Sequence, residues 1–289
     1  MITLVRRIAV VCALGAALAA CGSPQTSRTG RPDPSASSKP TAAAPAEPAS
    51  SRPPVLPPAA GGLTPVFSHG PRTGGKTVAL TFDADMTADQ GARAAAGEHF
   101  DNPELIATLR ALKAPATVFM TGRWAEQYPD QARSIGGDPL FELANHSHSH
   151  YAFTADCYGL PAVSADRMRS DVEHAYEAFR KAGVEHAMPY FRFPGGCYDQ
   201  RALRALSPLG VTAVQWDVVS GDAFATDADA VVRQVLDGVR PGSVVVMHCT
   251  RSAAPTTERV VRAVVPELRK RGYRLVKVSD LIGASTGRT

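Results

Sequence analysis

No Cys-x-x-Cys pair, no internal repeat and no apolar run of membrane-spanning length occurs in this 289-residue chain. The first absence removes the usual spacing of a structural zinc site, although five cysteines are present. The second excludes a repeat array, and the third an ordinary transmembrane helix. Excess charge is scarce too: a formal net charge of +4 gives no support for nucleic-acid binding. Between Gly22 and Ala60 there is no aromatic residue and no isoleucine, but there are 10 prolines. Such a stretch cannot bury enough apolar surface to fold, and reads as a disordered, partly polyproline-like tether.

What is present at the N-terminus is Arg6-Arg7, an apolar run from Ile8 to Ala20, then Cys21-Gly22. A basic start and a short apolar segment ending in small residues describe a secretory signal. Leu18-Ala19-Ala20-Cys21 resembles a bacterial lipobox, in which cleavage leaves Cys21 as a lipid-modified N-terminus; the alternative is an ordinary signal with an incidental cysteine. Removing residues 1–20 deletes Arg6 and Arg7 and lowers the formal charge from +4 to +2. The expected organisation is a signal peptide over 1–20, a lipid-anchored Pro-rich tether over 21–72, a folded domain over 73–284 and a tail over 285–289. The tether would reach roughly 120 Å from the anchor if extended and about 35 Å as a coil. The expected location is the outer face of the bacterial cytoplasmic membrane.

With 44% hydrophobic residues, one domain of some 200 residues can bury a substantial core. Strand-like runs occur at 77–83, 116–121, 141–145, 190–193, 211–216, 243–248 and 273–278, with helical patterns between several of them. From Ser164, a candidate N-cap, to Lys181, the residues Met168, Val172, Ala175 and Phe179 line one face and leave His174 in solvent. Thr256–Arg271 is a second amphipathic helix, its basic end suited to the helix dipole before Gly272. Alternating strand and helix argues for a parallel sheet with right-handed crossovers.

Three of the strands end in groups able to do chemistry. Val78–Asp85 ends in Asp83 and Asp85, Ser243–Cys249 ends at His248, and Leu140–Ala144 delivers Asn145-His146-Ser147-His148-Ser149-His150. An extended chain would hold His146 and His150 roughly 13 Å apart, too far to share one ion. A single helical turn brings residues four apart to about 5–6 Å and points His148 elsewhere. The expectation is therefore a His146/His150 divalent-metal pair at the carboxyl edge of a parallel sheet or barrel.

Together these segments resemble the polysaccharide deacetylases of carbohydrate esterase family 4 (the NodB-homology domain), in that family's motif order and over about residues 76–282. Thr81-Phe82-Asp83-Ala84-Asp85 is similar to the family's Thr-Phe-Asp-Asp-Gly, and His146–His150 matches His-Ser/Thr-x-x-His. Arg192-Phe193-Pro194-Gly195-Gly196 matches Arg-x-Pro-x-Gly. Trp216-Asp217 through Gly221-Asp222 is a loose fourth motif, and Val246-Met247-His248 a variant of Leu-x-His. The resemblance implies an α/β fold, a distorted, incomplete (β/α) barrel with about seven parallel strands. It implies a metal-dependent hydrolase removing acetyl groups from an N-acetylhexosamine polymer, peptidoglycan or chitin-like, with zinc the expected ion and a monomer the expected state. Xylan-type O-acetyl esters are the alternative substrate.

By the same resemblance Asp83 is the general base and His248 the general acid; Arg192 orients Asp83, and Asp222 holds His248 protonated. One position departs from the pattern: the family's second Asp, its metal ligand, is Ala84 here. Residues two apart at a strand end share a side, so Asp85 is read as the replacement ligand beside His146 and His150. Two alternatives stay open: Asp83 binds the metal and His148 or a water is the base, or metal binding is lost and a silent carbohydrate-binding protein remains. Pro194, Gly196, Tyr198, Trp216 and Met247 are candidate substrate contacts, with Trp216 and Tyr198 stacking sugar and Met247 lining an acetyl-methyl pocket. Cys157 and Cys197, both in loops, are the expected disulfide, and Cys197–Cys249 is the alternative pairing.

Overall fold

The computed structural model describes residues 52–287; the expected signal segment, Cys21 and the expected tether up to residue 51 lie outside the described residues. Side-chain alternation along its strands sets the architecture. In β2 (Thr77–Ala84), Val78, Leu80, Phe82 and Ala84 enter a core shared with Leu105 and Leu109 of helix Pro103–Ala111 and Val260, Val261, Val264 and Leu268 of helix Thr257–Lys270. Ala79, on the opposite face, meets Phe119, Ala144, Tyr190, Val214 and Val244 in a second core. Both faces of the sheet are thus covered, the condition under which parallel strands are stable.

The other strands are β1 (Val66–Phe67), β3 (Ala116–Met120), β4 (Phe141–Asn145), β5 (Ala187–Phe191), β6 (Thr212–Val214), β7 (Val218–Val219), β8 (Ser243–His248) and β9 (Arg274–Val276). They form one sheet in the order β1-β6-β5-β4-β3-β2-β8-β7, with β9 pairing the first half of β2. Every strand pair is parallel. The sheet curls into an open half-barrel, as expected. All seven expected strands are present. The two additional ones, β1 and β7, have two residues each and are too short to leave a periodicity.

Residues 54–72, expected within the tether, pack on the folded domain instead. Leu56 donates its N–H to Thr212 Oγ1 at 3.0 Å, the Tyr190 hydroxyl donates to the Pro54 carbonyl at 2.7 Å, and β1 pairs with β6. Arg72 then binds Asp217 at 2.7 Å, while Asp217 also accepts from Ser243 Oγ and the Val244 N–H. Asp217 of the loose fourth motif is therefore part of a structural clamp. Val55, Leu56, Val66 and Phe67 supply apolar contacts that composition averaged over prolines conceals.

One helix start and the end of the domain also differ from expectation. The helix after the histidines starts at Met168, because residues 164–167 close a separate turn in which the Arg167 N–H donates to the Ser164 carbonyl at 2.9 Å. At the C-terminus, helix Val278–Ser285 runs one residue past the expected boundary at 284. Among the described residues no helix is long and apolar enough to cross a membrane.

Candidate active site

The carboxyl ends of β2, β4 and β8 meet, and β5 and β7 feed into the same edge. Parity along β2 decides what points there. Phe82, Ala84 and Met86 enter the helix-covered core, which leaves Asp83 and Asp85 on the inner side. The same parity along β4 brings His146 inward after Ala144, and along β8 brings His248 inward after Val244. Asp83 and His248 occupy paired register positions on adjacent strands.

His146 and His150 come together by a route different from the helical turn expected of their spacing. Ser147 and His150 both have positive φ, 68° and 58°, so the chain bends twice within five residues. The bend is pinned by the Asn145 side chain accepting from the Ser147 N–H at 2.8 Å and by Ser147 Oγ accepting from the His150 N–H at 2.9 Å. The two imidazole centroids end 5.1 Å apart. His148 turns away to Glu126, 3.2 Å from its Nε2, and packs edge-on against His174. It does not join the cluster, which removes it as a candidate base.

Asp85, His146 and His150 place one ligand atom each within 4.8 Å of one another. Asp85 Oδ1 lies 3.3 Å from His146 Nε2 and 3.5 Å from His150 Nε2. A tetrahedral ion with ligands at about 2.0–2.1 Å would separate them by roughly 3.3–3.4 Å. Asp85 Oδ1 is also buried without a hydrogen-bond partner, an orphan that a cation would satisfy. On the far side of its ring, His146 Nδ1 donates to the Arg192 carbonyl at 2.8 Å, which turns the Nε2 lone pair toward the cluster. Burial alone would raise the Asp85 pKa, but His150 and His146 hold it well below the usual carboxylate range. Burial pushes His150 down, toward the neutral form a ligand requires. The three residues fit a divalent metal, with Asp85 supplying the carboxylate that Ala84 lacks.

Two ion pairs flank this cluster. Arg192, fully buried, donates from Nη1 to Asp83 Oδ1 at 2.6 Å and lies over the Phe119 ring, 3.9 Å from its centroid. The other Asp83 oxygen is 3.8 Å from His146 Nε2. Across from it, Asp222 accepts from His248 Nδ1 at 2.8 Å and from the His248 N–H at 2.7 Å. Ser220 and Thr257 donate to the same carboxylate at 2.8 and 2.7 Å. Burial by itself would lower the His248 pKa, yet the hydrogen bond and charge of Asp222 outweigh it and push the value up to about 10.

The remaining expected residues divide. Trp216 packs on Gly196 so closely that a Cβ there would lie 2.5 Å from the indole, and its ring also faces Arg192 at 5.4 Å. Pro194 is buried in the same turn, and Tyr198 stacks on Phe193 at 5.3 Å with its outer face exposed. Met247 is a correction: it shares the outward parity of Val245 and is buried in the helix-covered core, so it lines no acetyl pocket. Cys157 and Cys197 form the expected disulfide, and Cys249 is buried and free. Sequence reasoning misses Thr250, whose Oγ1 accepts from the Asp85 N–H at 3.0 Å, as well as Thr257 and Ser220. A lone hydroxyl carries no spacing signal of its own.

Fold and site together define an α/β half-barrel with a carboxylate–histidine cluster, able to hold a metal ion, at the carboxyl edge of its sheet. The family model described as polysaccharide deacetylase matches residues 70–214, and the chain belongs to that family. It is 30% identical over 215 residues to a chitooligosaccharide deacetylase of Sinorhizobium fredii, covering 70% of this chain and 89% of the relative. It is 26% identical over 183 residues to a peptidoglycan-N-acetylglucosamine deacetylase of Bacillus cereus, covering 62% and 81%. The solved Bc1960 peptidoglycan N-acetylglucosamine deacetylase shares the fold with a TM-score of 0.63 at 23% identity, covering 75% of this chain and 92% of that one. A carbohydrate esterase family 4 pseudoenzyme from Bacillus anthracis shares it with a TM-score of 0.61 at 20% identity, covering 79% and 70%.

The ligand assignment has a direct test in metal affinity. Asp85→Ala is expected to weaken binding by more than the about 10–100-fold typical of losing an outer-shell partner, whereas Asp83→Asn retains the ion. Calorimetric titration of both variants with zinc distinguishes them. The reverse pattern would transfer the ligand role to Asp83.

Proposed function

We propose that this protein is a metal-dependent hydrolase that removes acetyl groups from an N-acetylhexosamine-containing polysaccharide, peptidoglycan or chitin-like, at the bacterial cell surface, with zinc as its ion. The observation that carries this reading is the pair of opposed ion pairs. A sugar-binding protein has no use for Asp83–Arg192 on one side of a metal cluster and His248–Asp222 on the other, whereas amide hydrolysis needs a base and an acid at once. Family membership and the deacetylases among the relatives support the same reaction.

When bound, the divalent ion supplies Lewis acidity for activating water and polarising the amide carbonyl. The protein residues do the rest. Asp83, its Oδ1 held by Arg192, keeps its second oxygen toward the metal cluster and accepts the proton of the attacking water. His248, held protonated by Asp222, donates from Nε2 to the departing amine nitrogen, whose basicity rises as the C–N bond breaks. Trp216 and Tyr198 present aromatic faces beside the Pro194–Gly196 turn for the apolar face of a sugar ring.

The lipid anchor belongs to this reading because the polymer is insoluble and the enzyme must be held near it. Cys21 in Leu-Ala-Ala-Cys is the proposed lipid site, and the residues up to 51 tether a monomeric domain to the outer face of the membrane. Cys21→Ser is expected to accumulate as precursor or appear in the medium. Fractionation that finds a processed, membrane-bound Cys21→Ser protein would place the anchor elsewhere.

Acetate release from acetylated glycans tests the chemistry. Wild-type protein should release acetate from N-acetylglucosamine oligomers, lose activity with a chelator and regain it with zinc. Asp83→Asn should lower kcat by about 10²–10⁴-fold. His248 must be protonated to act, so activity falls as pH rises through its pKa. Asp222→Asn removes the charge that raises this pKa and should move the alkaline limb down by about 1–3 units. Metal-loaded protein that binds the glycans yet releases no acetate from amide or ester substrates would establish the silent alternative.

A further inference from the structure

The Cys157–Cys197 disulfide ties loop 151–163 to the turn that follows Arg192. The base of the loop is closed by Ala152, whose N–H donates to the Pro161 carbonyl at 2.8 Å and whose carbonyl accepts from Val163 at 2.9 Å. At the tip the Leu160 N–H donates to the Cys157 carbonyl at 2.9 Å, and both central residues have positive φ, Tyr158 at 50° and Gly159 at 77°. A tight turn of this kind favours Asn, Asp or Gly at its first central position, because a side chain on left-handed backbone is strained. Tyrosine is the wrong residue for the turn. It is also 88% exposed, the most exposed large hydrophobic side chain among the described residues. Burial therefore does not account for a bulky aromatic on strained backbone, turned to solvent and stapled by a cystine.

Its position supplies the reason. Tyr158 Cδ2 lies 3.4 Å from the point a Cβ on Gly195 would occupy, and the neighbouring Gly196 carries the Trp216 indole. The Gly196 carbonyl accepts from Gln215 at 2.7 Å, and Trp216 faces Arg192. Contact thus runs outward from the buried Arg192 through Trp216 and the glycine turn to Tyr158, with the exposed face of Tyr198 on the same turn. A sugar chain over Trp216 that extends across the Gly195–Gly196 turn would reach the Tyr158 ring. We infer that Tyr158 is a sugar-stacking residue that binds the glycan strand beyond the unit being deacetylated, making the enzyme selective for chains over short fragments. This rests on the proposed deacetylase reading and names the length of substrate that reading leaves open.

Binding and turnover separate the two ideas. In an Asp83→Asn background, which slows turnover, calorimetry compares six-sugar and two-sugar oligomers of N-acetylglucosamine. The protein with Tyr158 intact should prefer the six-sugar chain, and Tyr158→Ala should cut that preference about tenfold, the scale of one aromatic stacking contact. Tyr158→Trp should restore it. Tyr158→Asn suits the turn better, so it should hold or raise the Tm while losing the preference. No preference with Tyr158 intact, a preference that survives Tyr158→Ala, or Tyr158→Asn lowering the Tm with binding unchanged would each overturn the inference. Tyr158-dependent binding without acetate release by the wild type would instead sink the deacetylase reading and leave Tyr158 as a glycan-stacking residue only.

Discussion

Arg192 is the joint on which the site depends. Its guanidinium is fully buried, so it stands only because Asp83 neutralises it at 2.6 Å, the Val214 carbonyl accepts from Nε at 3.2 Å and Phe119 lies beneath it. Its own carbonyl fixes the tautomer of His146. One residue thereby sets the orientation of the carboxylate proposed as base and of an imidazole proposed to hold the metal. Breaking a buried pair of this kind leaves an uncompensated charge and costs about 3–5 kcal/mol. Stability and chemistry therefore share the same contact.

Strand parity is the second constraint. On β2 alternate residues belong to opposite cores, so Ala84 points among Phe82 and Met86, while Asp83 and Asp85 face inward. A carboxylate at 84 would be buried among apolar side chains unless the strand end twisted. Placing Asp at 85 puts the carboxylate where the backbone already points, and the orphaned Oδ1 between two imidazoles is the consequence.

Much of this is legible in the sequence, and the exceptions have physical causes. The strands are visible because buried parallel strands are continuous apolar runs, and Asp83, His146, His150, Arg192, Asp222 and His248 because each lies at or just past a strand's end. The pairing of His146 with His150 is legible but its geometry is not. Spacing favours a helical turn, whereas the two left-handed residues, Ser147 and His150, depend on hydrogen bonds from Asn145 and Ser147 that spacing does not encode. Met247 is misread because neighbours along a strand point to opposite faces, so its nearness to His248 in sequence argues against the pocket expected of it. Residues 53–72 are misread because proline content outweighs the few apolar residues that dock beside β6. The Cys157–Cys197 pairing follows from placing both residues in loops at one edge.

Asp85, one residue beyond Ala84, is the carboxylate proposed to hold the metal, and Asp83 is left free for the proton transfer. Anomalous diffraction from crystals of the zinc-loaded domain tests this most directly. One ion is expected at about 2.0–2.2 Å from an Asp85 oxygen and from one nitrogen of each of His146 and His150, with Asp83 still bound to Arg192. An ion seated on Asp83, with Asp85 out of reach, or no ion at this cluster, would contradict the account.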